Sequence, residues 1–330
     1  MKNWILRLPR IEYYAFTMAE ILLSLTIIGV VAAITLPSLI GNINERAWNT
    51  QRKALYSRVS QAITMMPYLN NYGSYTTSSD GTVLNDSTAM TFVTEGLSKV
   101  YKINNVCEND KLSDCGISSE ITNINGQKIT TPSNLYSLNS WFSYNSYNGK
   151  SYSVPNTKSV AFETTNGESI VLYYNYQCVT EEPNEVPILS GGIATSSSMQ
   201  YMCANLIYDL NGLKGPNKFG KDIGFITVFN STNPTVVAPM PASQTEESSN
   251  VGWENAQRLC SNNNSDKRLP NVYELDALSI NMSLANLNST YNYWSGSVYD
   301  NDKAWLVGPD TGTKSSFAKN YGSHIRCILR

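Results

Sequence analysis

The chain has 330 residues, enough for two or three domains with cores of their own. Charged residues make up 15% of it, well below the roughly 25% of an ordinary soluble domain. Its 24 Lys and Arg against 26 Asp and Glu leave a net charge of -2, which excludes an electrostatic footprint for nucleic acid.

Residues 21–44 carry no charge, and residues 21–40 (ILLSLTIIGVVAAITLPSLI) are almost wholly apolar. At 1.5 Å per residue that run reaches about 30 Å, enough to cross a bilayer. Lys2, Arg7 and Arg10 precede it, so residues 1–15 are expected to stay cytoplasmic, with everything beyond about residue 45 translocated. A cleaved secretory signal would show a shorter apolar stretch with a small-residue site behind it. Here the run flows without a turn signal into a polar helix. Glu20 interrupts the pattern at its edge, where a carboxylate costs up to about 3 kcal/mol and calls for a partner.

The segment AFTMAEILLSLTIIGVVAAITLPSLI resembles the N-terminus of type IV prepilins and type II secretion pseudopilins. That resemblance implies a prepilin peptidase cut between Ala15 and Phe16, N-methylation of Phe16, and an assembly role for Glu20, with Thr17 also at its expected place. Cutting creates a positive amine on Phe16, and Glu20 of one subunit can pair with the amine of a neighbour inside an apolar helical bundle. Ala15 departs from the glycine usual before the cut, and Glu12, Tyr13 and Tyr14 are unusual in a leader. Residues 1–15 are thus a leader peptide, and the fold implied is a long N-terminal helix packed on a small antiparallel β-sheet head.

Past Asn44 the pattern turns amphipathic. Ala47, Trp48, Leu55, Val59, Ala62, Ile63 and Met66 recur at helical spacing, and Arg46, Arg52, Lys53 and Arg58 take the other faces. Pro67 should end the run, giving one helix over 16–67 about 75 Å long, with Gly29 and Pro37 as weak points. Residues 68–235 read as a head of short strands and loops. Val160, Phe162, Ile170, Leu172 and Tyr174 alternate around a turn at Asn166–Gly167, the pattern of a hairpin of half-buried strands.

Residues 207–226 (IYDLNGLKGPNKFGKDIGFI) crowd turn formers between two apolar strands, and similar stretches precede a last strand in pilin-like proteins. Asp209, Asn211 and Asp222 offer oxygens to Ca²⁺, but the spacing is not that of an EF-hand and Lys214 stands where an acid would help. The default is a loop whose Asp and Asn side chains bond the backbone, with no cofactor.

Six cysteines suit an oxidising compartment if the chain is exported. They fall as sequential neighbours, Cys107 with Cys115, Cys178 with Cys203 and Cys260 with Cys327, although six cysteines allow 15 pairings. With no C-x-x-C and a single histidine, His324, a zinc site is disfavoured and catalysis finds no support.

Residues 236–250 shift to Pro, Ser and Glu and read as a linker. In 251–330, Trp253, Ala256 and Cys260 have helical spacing, a second helix is expected over 273–278, and strands over 293–297, 304–307 and 325–328. This order resembles the C-type lectin-like fold of bacterial adhesins that end in Arg-Cys-x-x-Arg. The Arg-Leu-Pro…Glu run also echoes the formylglycine-generating enzymes, without their cysteine pair. The module lacks the Glu-Pro-Asn and Trp-Asn-Asp motifs of calcium-dependent lectins; the one Glu-Pro-Asn, at 182–184, lies in the head. Arg268 and Trp294 are therefore expected as core supports, and loops 286–292 and 299–302 as the contact surface.

The expectation is an α+β protein: a minor pilin or pseudopilin subunit with a C-terminal binding module and no enzymatic activity. It would start in the inner membrane as a single-pass protein with its C-terminus outside, then enter a periplasmic or extracellular filament. Its implied partners are prepilin peptidase, other pilin subunits, the inner-membrane assembly platform, and a host or surface glycan or protein. The competing expectation is a membrane-anchored sensor or binding protein with an uncleaved signal anchor.

Overall fold

The computed structural model describes residues 17–69, 88–107, 111–130, 158–175, 185–190, 193–230, 233–243, 248–261, 266–310 and 312–330. The chain divides between Ala47 and Trp48 into two compact units. The class is α+β, with sheets that are mostly antiparallel.

The first unit holds the start of helix α1 (Met18–Leu69). From Met18 to Thr35 the mean hydropathy is 2.2 and no residue is buried, so the helix is long and apolar enough to cross a membrane. Its few hydroxyls are satisfied on the helix itself. Ser24 donates to the Ile21 carbonyl (2.9 Å), Thr26 to Leu22 (2.7 Å) and Thr35 to Val31 (2.8 Å). In hydrocarbon, where no water can serve, that internal bonding is what polar groups require.

In the second unit the remainder of α1 buries Leu55, Val59, Ala62, Ile63 and Met66 as the spacing predicts, whereas Ala47, at the end of the first unit, is exposed. The helix outruns its expected end by two residues: Pro67 withdraws one N–H from the ladder, and the chain completes a last turn to Leu69. The apolar stripe of α1, together with Ala89, Phe92, Val93 and Leu97 of a short helical stretch, packs on one face of a sheet.

That sheet comprises β1 (Ile103–Cys107), β4 (Ser159–Thr164), β5 (Ser169–Tyr174), β7 (Ile193–Asp209), β8 (Ile223–Phe229) and β9 (Thr235–Val237), antiparallel in this order. Strands β2 (Glu120–Thr122) and β3 (Lys128–Thr130) pair separately, and β6 (Glu185–Ser190) pairs with β7. The expected hairpin is β4–β5. Gly167 N–H closes its turn on the Thr164 carbonyl (3.0 Å), with Gly167 at φ 83°, a conformation only glycine reaches without strain. Arg58 of α1 pairs with Glu168 at this turn, and the Thr164 hydroxyl donates to the same carboxylate.

The strands are not half-buried, as their alternation suggests, but covered on both faces. Val160, Phe162, Ile170, Leu172 and Tyr174 lie in one core with α1, while Ala161, Val171, Tyr173, Phe225 and Phe229 lie in a second core shared with Leu112, Ile117, Ile121, Phe219 and residues after 270. The C-terminal elements are β10 (Ser248–Val251), α2 (Trp253–Ser261), β11 (Lys267–Arg268), α3 (Val272–Ile280), α4 (Met282–Ala285), β12 (Tyr293–Val298), β13 (Lys303–Gly308), β14 (Thr313–Ala318), β15 (Ser323–Ile325) and β16 (Ile328–Leu329). Helix α3 buries every residue but Glu274, as a helix enclosed between layers must. Tyr273 lies edge-on to Phe229 with ring centroids 5.2 Å apart. Strand β12 continues from β7 at Val298 and Ile193.

Several polar groups inside this layer pair with one another. The side chains of Asn205 and Asn281 exchange hydrogen bonds of 3.0 and 3.1 Å, the Thr227 hydroxyl donates to Asn205 (2.7 Å), and all three residues are 0% exposed. Lys314 and Asp276 form an ion pair of 2.6 Å with both side chains buried.

The stretch expected as a linker, 236–250, is paired at several of its described residues. Val236 and Val237 end β9 against β8, Pro241 bridges Ile328, Ala242 N–H donates to the Cys327 carbonyl (2.9 Å), and β10 pairs with β15. Backbone pairing does not depend on side-chain polarity, which is why composition reads the segment as free. Replacing Asn281 with Ala leaves the Asn205 amide short of a partner inside the layer, a loss of about 2 kcal/mol. Chemical denaturation of the detergent-solubilised chain is expected to show one transition moved to lower denaturant, followed identically by Trp fluorescence and far-UV circular dichroism. Two separate transitions would mean that the layers on the two sides fold apart.

Candidate functional site

Three regions hold the residues that carry chemistry. At the start of α1, Ala15 and Phe16 lie outside the described residues. Thr17 caps the helix: its hydroxyl accepts from the Glu20 N–H (3.3 Å), while the Glu20 carboxylate accepts from the Thr17 N–H (2.8 Å) and hydroxyl (2.9 Å). This is a reciprocal capping box, with Glu20 as its acid. In a single chain, therefore, Glu20 already has a local partner, and its exposed position leaves it open to a second one.

The turn-rich loop between β7 and β8 is built around two buried carboxylates. Asp222 accepts from Asn217 N–H and Lys218 N–H, both at 2.8 Å, and Asp209 accepts from Asn211 N–H (3.1 Å). Asn211 donates to the Gly215 carbonyl (3.1 Å). With its nitrogen turned inward, the Asn217 amide donates to Asp209 Oδ2 (3.3 Å) and the Lys214 carbonyl (3.2 Å), and accepts from Ser118 (3.0 Å). The oxygens of Asp209 and Asp222 thus serve the loop's own donors. Among the described residues, no group of three or more His, Cys, Asp or Glu is placed to hold a metal ion.

Burial pushes the Asp209 carboxyl up to about 8. Asp222 adds to the rise, and the amides of Asn211 and Gly212 oppose it. The disulfides Cys107–Cys115 and Cys260–Cys327 are both formed. Cys203 is also disulfide-bonded, whereas Cys178 lies outside the described residues.

In the C-terminal part, the partly exposed Arg268 grips Glu274 with both nitrogens (2.6 and 2.5 Å), and the buried Trp294 donates to the Val251 carbonyl (2.8 Å). Loop 299–302 is folded by Asp300, whose carboxylate accepts from Asp302 N–H (2.8 Å) and Lys303 N–H (2.7 Å). His324 lies in β15 beneath Tyr291, ring centroids 3.8 Å apart. The Glu-Pro-Asn at 182–184 is outside the described residues.

The third region was not foreseen. A cavity of about 360 Å³ opens where α1 passes β9 and the C-terminal strands, with Arg52, Lys53, Tyr56, Tyr208, Arg268 and Glu274 in its walls. Asn49 and residues 236–240 and 328–330 give the rest of the lining. In the sequence Arg52 and Lys53 read only as the solvated face of a helix, and Tyr208 as one more apolar strand residue. Nothing local marks their convergence.

No protein-family model matches the chain, and no curated protein is found to match it.

The raised Asp209 makes stability depend on pH with a definite sign. Unfolded, the group titrates near about 4, so between pH 4 and 8 the native state keeps a proton that the unfolded chain releases. Stability from this source is full below pH 4 and is lost as pH rises to about 8. Asp209→Asn keeps the acceptor for Asn211 N–H and removes the titration. Thermal melts should give equal Tm values for parent and variant at pH 4 and a growing advantage for Asp209→Asn towards pH 8. Curves that stay parallel would mean that the carboxyl is not held neutral by burial.

Proposed function

We propose that the chain is a minor pilin or pseudopilin, cut by prepilin peptidase and incorporated into a type IV pilus or type II secretion-like filament. The carrying observation is the start of α1. An unburied apolar helix opens on Thr17 and Glu20, directly behind the Ala15–Phe16 junction expected for the cut. The carboxylate of Glu20 is exposed and bonded only within its own first turn, so an amine on a neighbouring subunit's Phe16 can join it without breaking a buried contact. The amphipathic continuation of α1, seated on a sheet, supports the same reading, because a filament subunit needs a helix that is half lattice and half scaffold. In this reading the C-terminal part carries surface contact, with a glycan or protein as partner, and its lectin-like character rests on the order of its elements.

Expression in cells with and without prepilin peptidase tests the proposal. Processing is expected to shorten the chain to a Phe16 start only where the peptidase is present. In the processed background Glu20→Ala should reduce recovery in sheared filaments by about tenfold or more, since an unpaired amine in an apolar bundle costs several kcal/mol. A chain that still begins at Met1 in both strains would instead identify an uncleaved membrane anchor.

A further inference from the structure

We propose that the loop between β7 and β8 docks on the anionic phospholipid headgroups of the bilayer that α1 enters. The proposal rests on α1 spanning a membrane, and needs neither cleavage nor a filament.

Its first support is position. Trp48 opens the second unit, close behind the uncharged run 21–44. The stretch from residue 40 to Trp48 reaches about 12 Å as helix and at most about 28 Å fully extended. The chain itself therefore holds Trp48 near the surface of a bilayer that the apolar run crosses. Lys221 Nζ lies 5.6 Å from the centre of the Trp48 ring. Arg52, one turn further along α1, is close enough to Tyr208, near the end of β7, for its charge to act there. The loop 210–222 thus closes the end of the sheet beside Trp48. Indole rings favour the headgroup level of a bilayer, and Trp48 is only half-buried.

The second support is shape. Leu213 is 61% exposed, and Lys214, Gly215 and Pro216 beside it are exposed as well. The loop is nevertheless firmly built. Asp222 holds the Asn217 and Lys218 amides (both 2.8 Å), the Thr122 N–H donates to the Asn217 carbonyl (2.8 Å), and the Phe219 N–H donates to the Thr122 carbonyl (2.8 Å). A braced loop that holds a leucine out into water gains when the side chain enters lipid.

The third support is charge. Lys214 and Lys221 are exposed and Lys218 is half-buried; among the described residues none of the three forms an ion pair. The acids around them are spent. Asp222 is 0% exposed, Asp209 is buried and pushed up to about 8, and Glu120 is paired with Lys128 (2.8 Å). Asp114 is matched by Lys111 on the same turn, and Glu45 by Arg46 ahead of Trp48. Arg52 is bonded to Asn49 and adds nothing to the count. Three lysines therefore face one ionised acid, Asp222, in a chain whose net charge is -2. Near an anionic membrane each lysine is worth about fivefold in partition. A soluble polyanion would satisfy the lysines but leave Leu213 in water.

The test places the full chain in nanodiscs of phosphatidylcholine alone, or of phosphatidylcholine and phosphatidylglycerol in equal parts. Acetylation of each lysine is then timed by mass spectrometry. Lys214, Lys218 and Lys221 are expected to react about fivefold or more slowly in the anionic discs and to regain the neutral-disc rate in molar salt, while Lys303 reacts alike in both. Leu213→Ser and Lys214→Gln, both at exposed positions, should leave Tm unchanged and cut the protection of Lys218 and Lys221 severalfold. Protection that both variants leave intact would overturn the proposal. So would protection that grows with the number of chains per disc in neutral lipid, which would place a second copy on the loop. A chain that stays in the discs with equal rates in both lipids removes the docking alone, whereas a chain that elutes apart from the discs removes the span of α1 and the docking with it.

Discussion

The architecture of the second unit depends on one constraint: its main sheet is covered on both faces. A sheet with one wet face can alternate polar and apolar residues, but one enclosed between two layers cannot. Strand β5 buries all six of its residues, and β8 all seven. The stripe of α1 closes one face. The other face is closed in part by residues 112–124 and in part after residue 270, by a helix that is itself apolar nearly all round. The shortage of charge in the composition is the same fact seen from outside, since a bare apolar rod and a doubly covered sheet leave little room for ions.

Enclosure makes the few internal polar groups decisive for register. An apolar layer alone tolerates sliding, because one leucine replaces another at modest cost. Asn205 and Asn281 satisfy each other only in one placement of α3 over β7, and Thr227 fixes the amide that Asn205 presents. The buried pair Lys314–Asp276 does the same for β14 against α3, and Arg58–Glu168 for α1 against the hairpin. Such pairs add little net stability but penalise every other arrangement heavily.

Legibility in the sequence follows the range of the interaction. The stripe on α1, the turn at Asn166–Gly167 and α2 with its cysteine all rest on residues close in the chain or on strict spacing, and each could be read directly, whereas the pairing of the cysteines stays open among 15 arrangements. The second covered face could not. Val160, Ala161 and Phe162 are apolar in succession, and nothing local says whether the far side meets water or α3. Composition misled at 236–250, where small polar residues sit in paired backbone. The cavity was hidden for the same reason: Tyr208, Arg52 and Arg268 are distant in sequence.

Strand β7 runs unbroken for 17 residues, pairing with β5 and β8 over one stretch and meeting β6 and β12 near its beginning. No seam therefore separates a carrier from its passenger. A graft that exchanged everything after residue 250 for a foreign adhesive head would strip part of the far side of the sheet and take Tyr273 from Phe229. Diversification of the outer surface is accordingly confined to loop tips, and any transplant of specificity has to travel as loops rather than as a whole module.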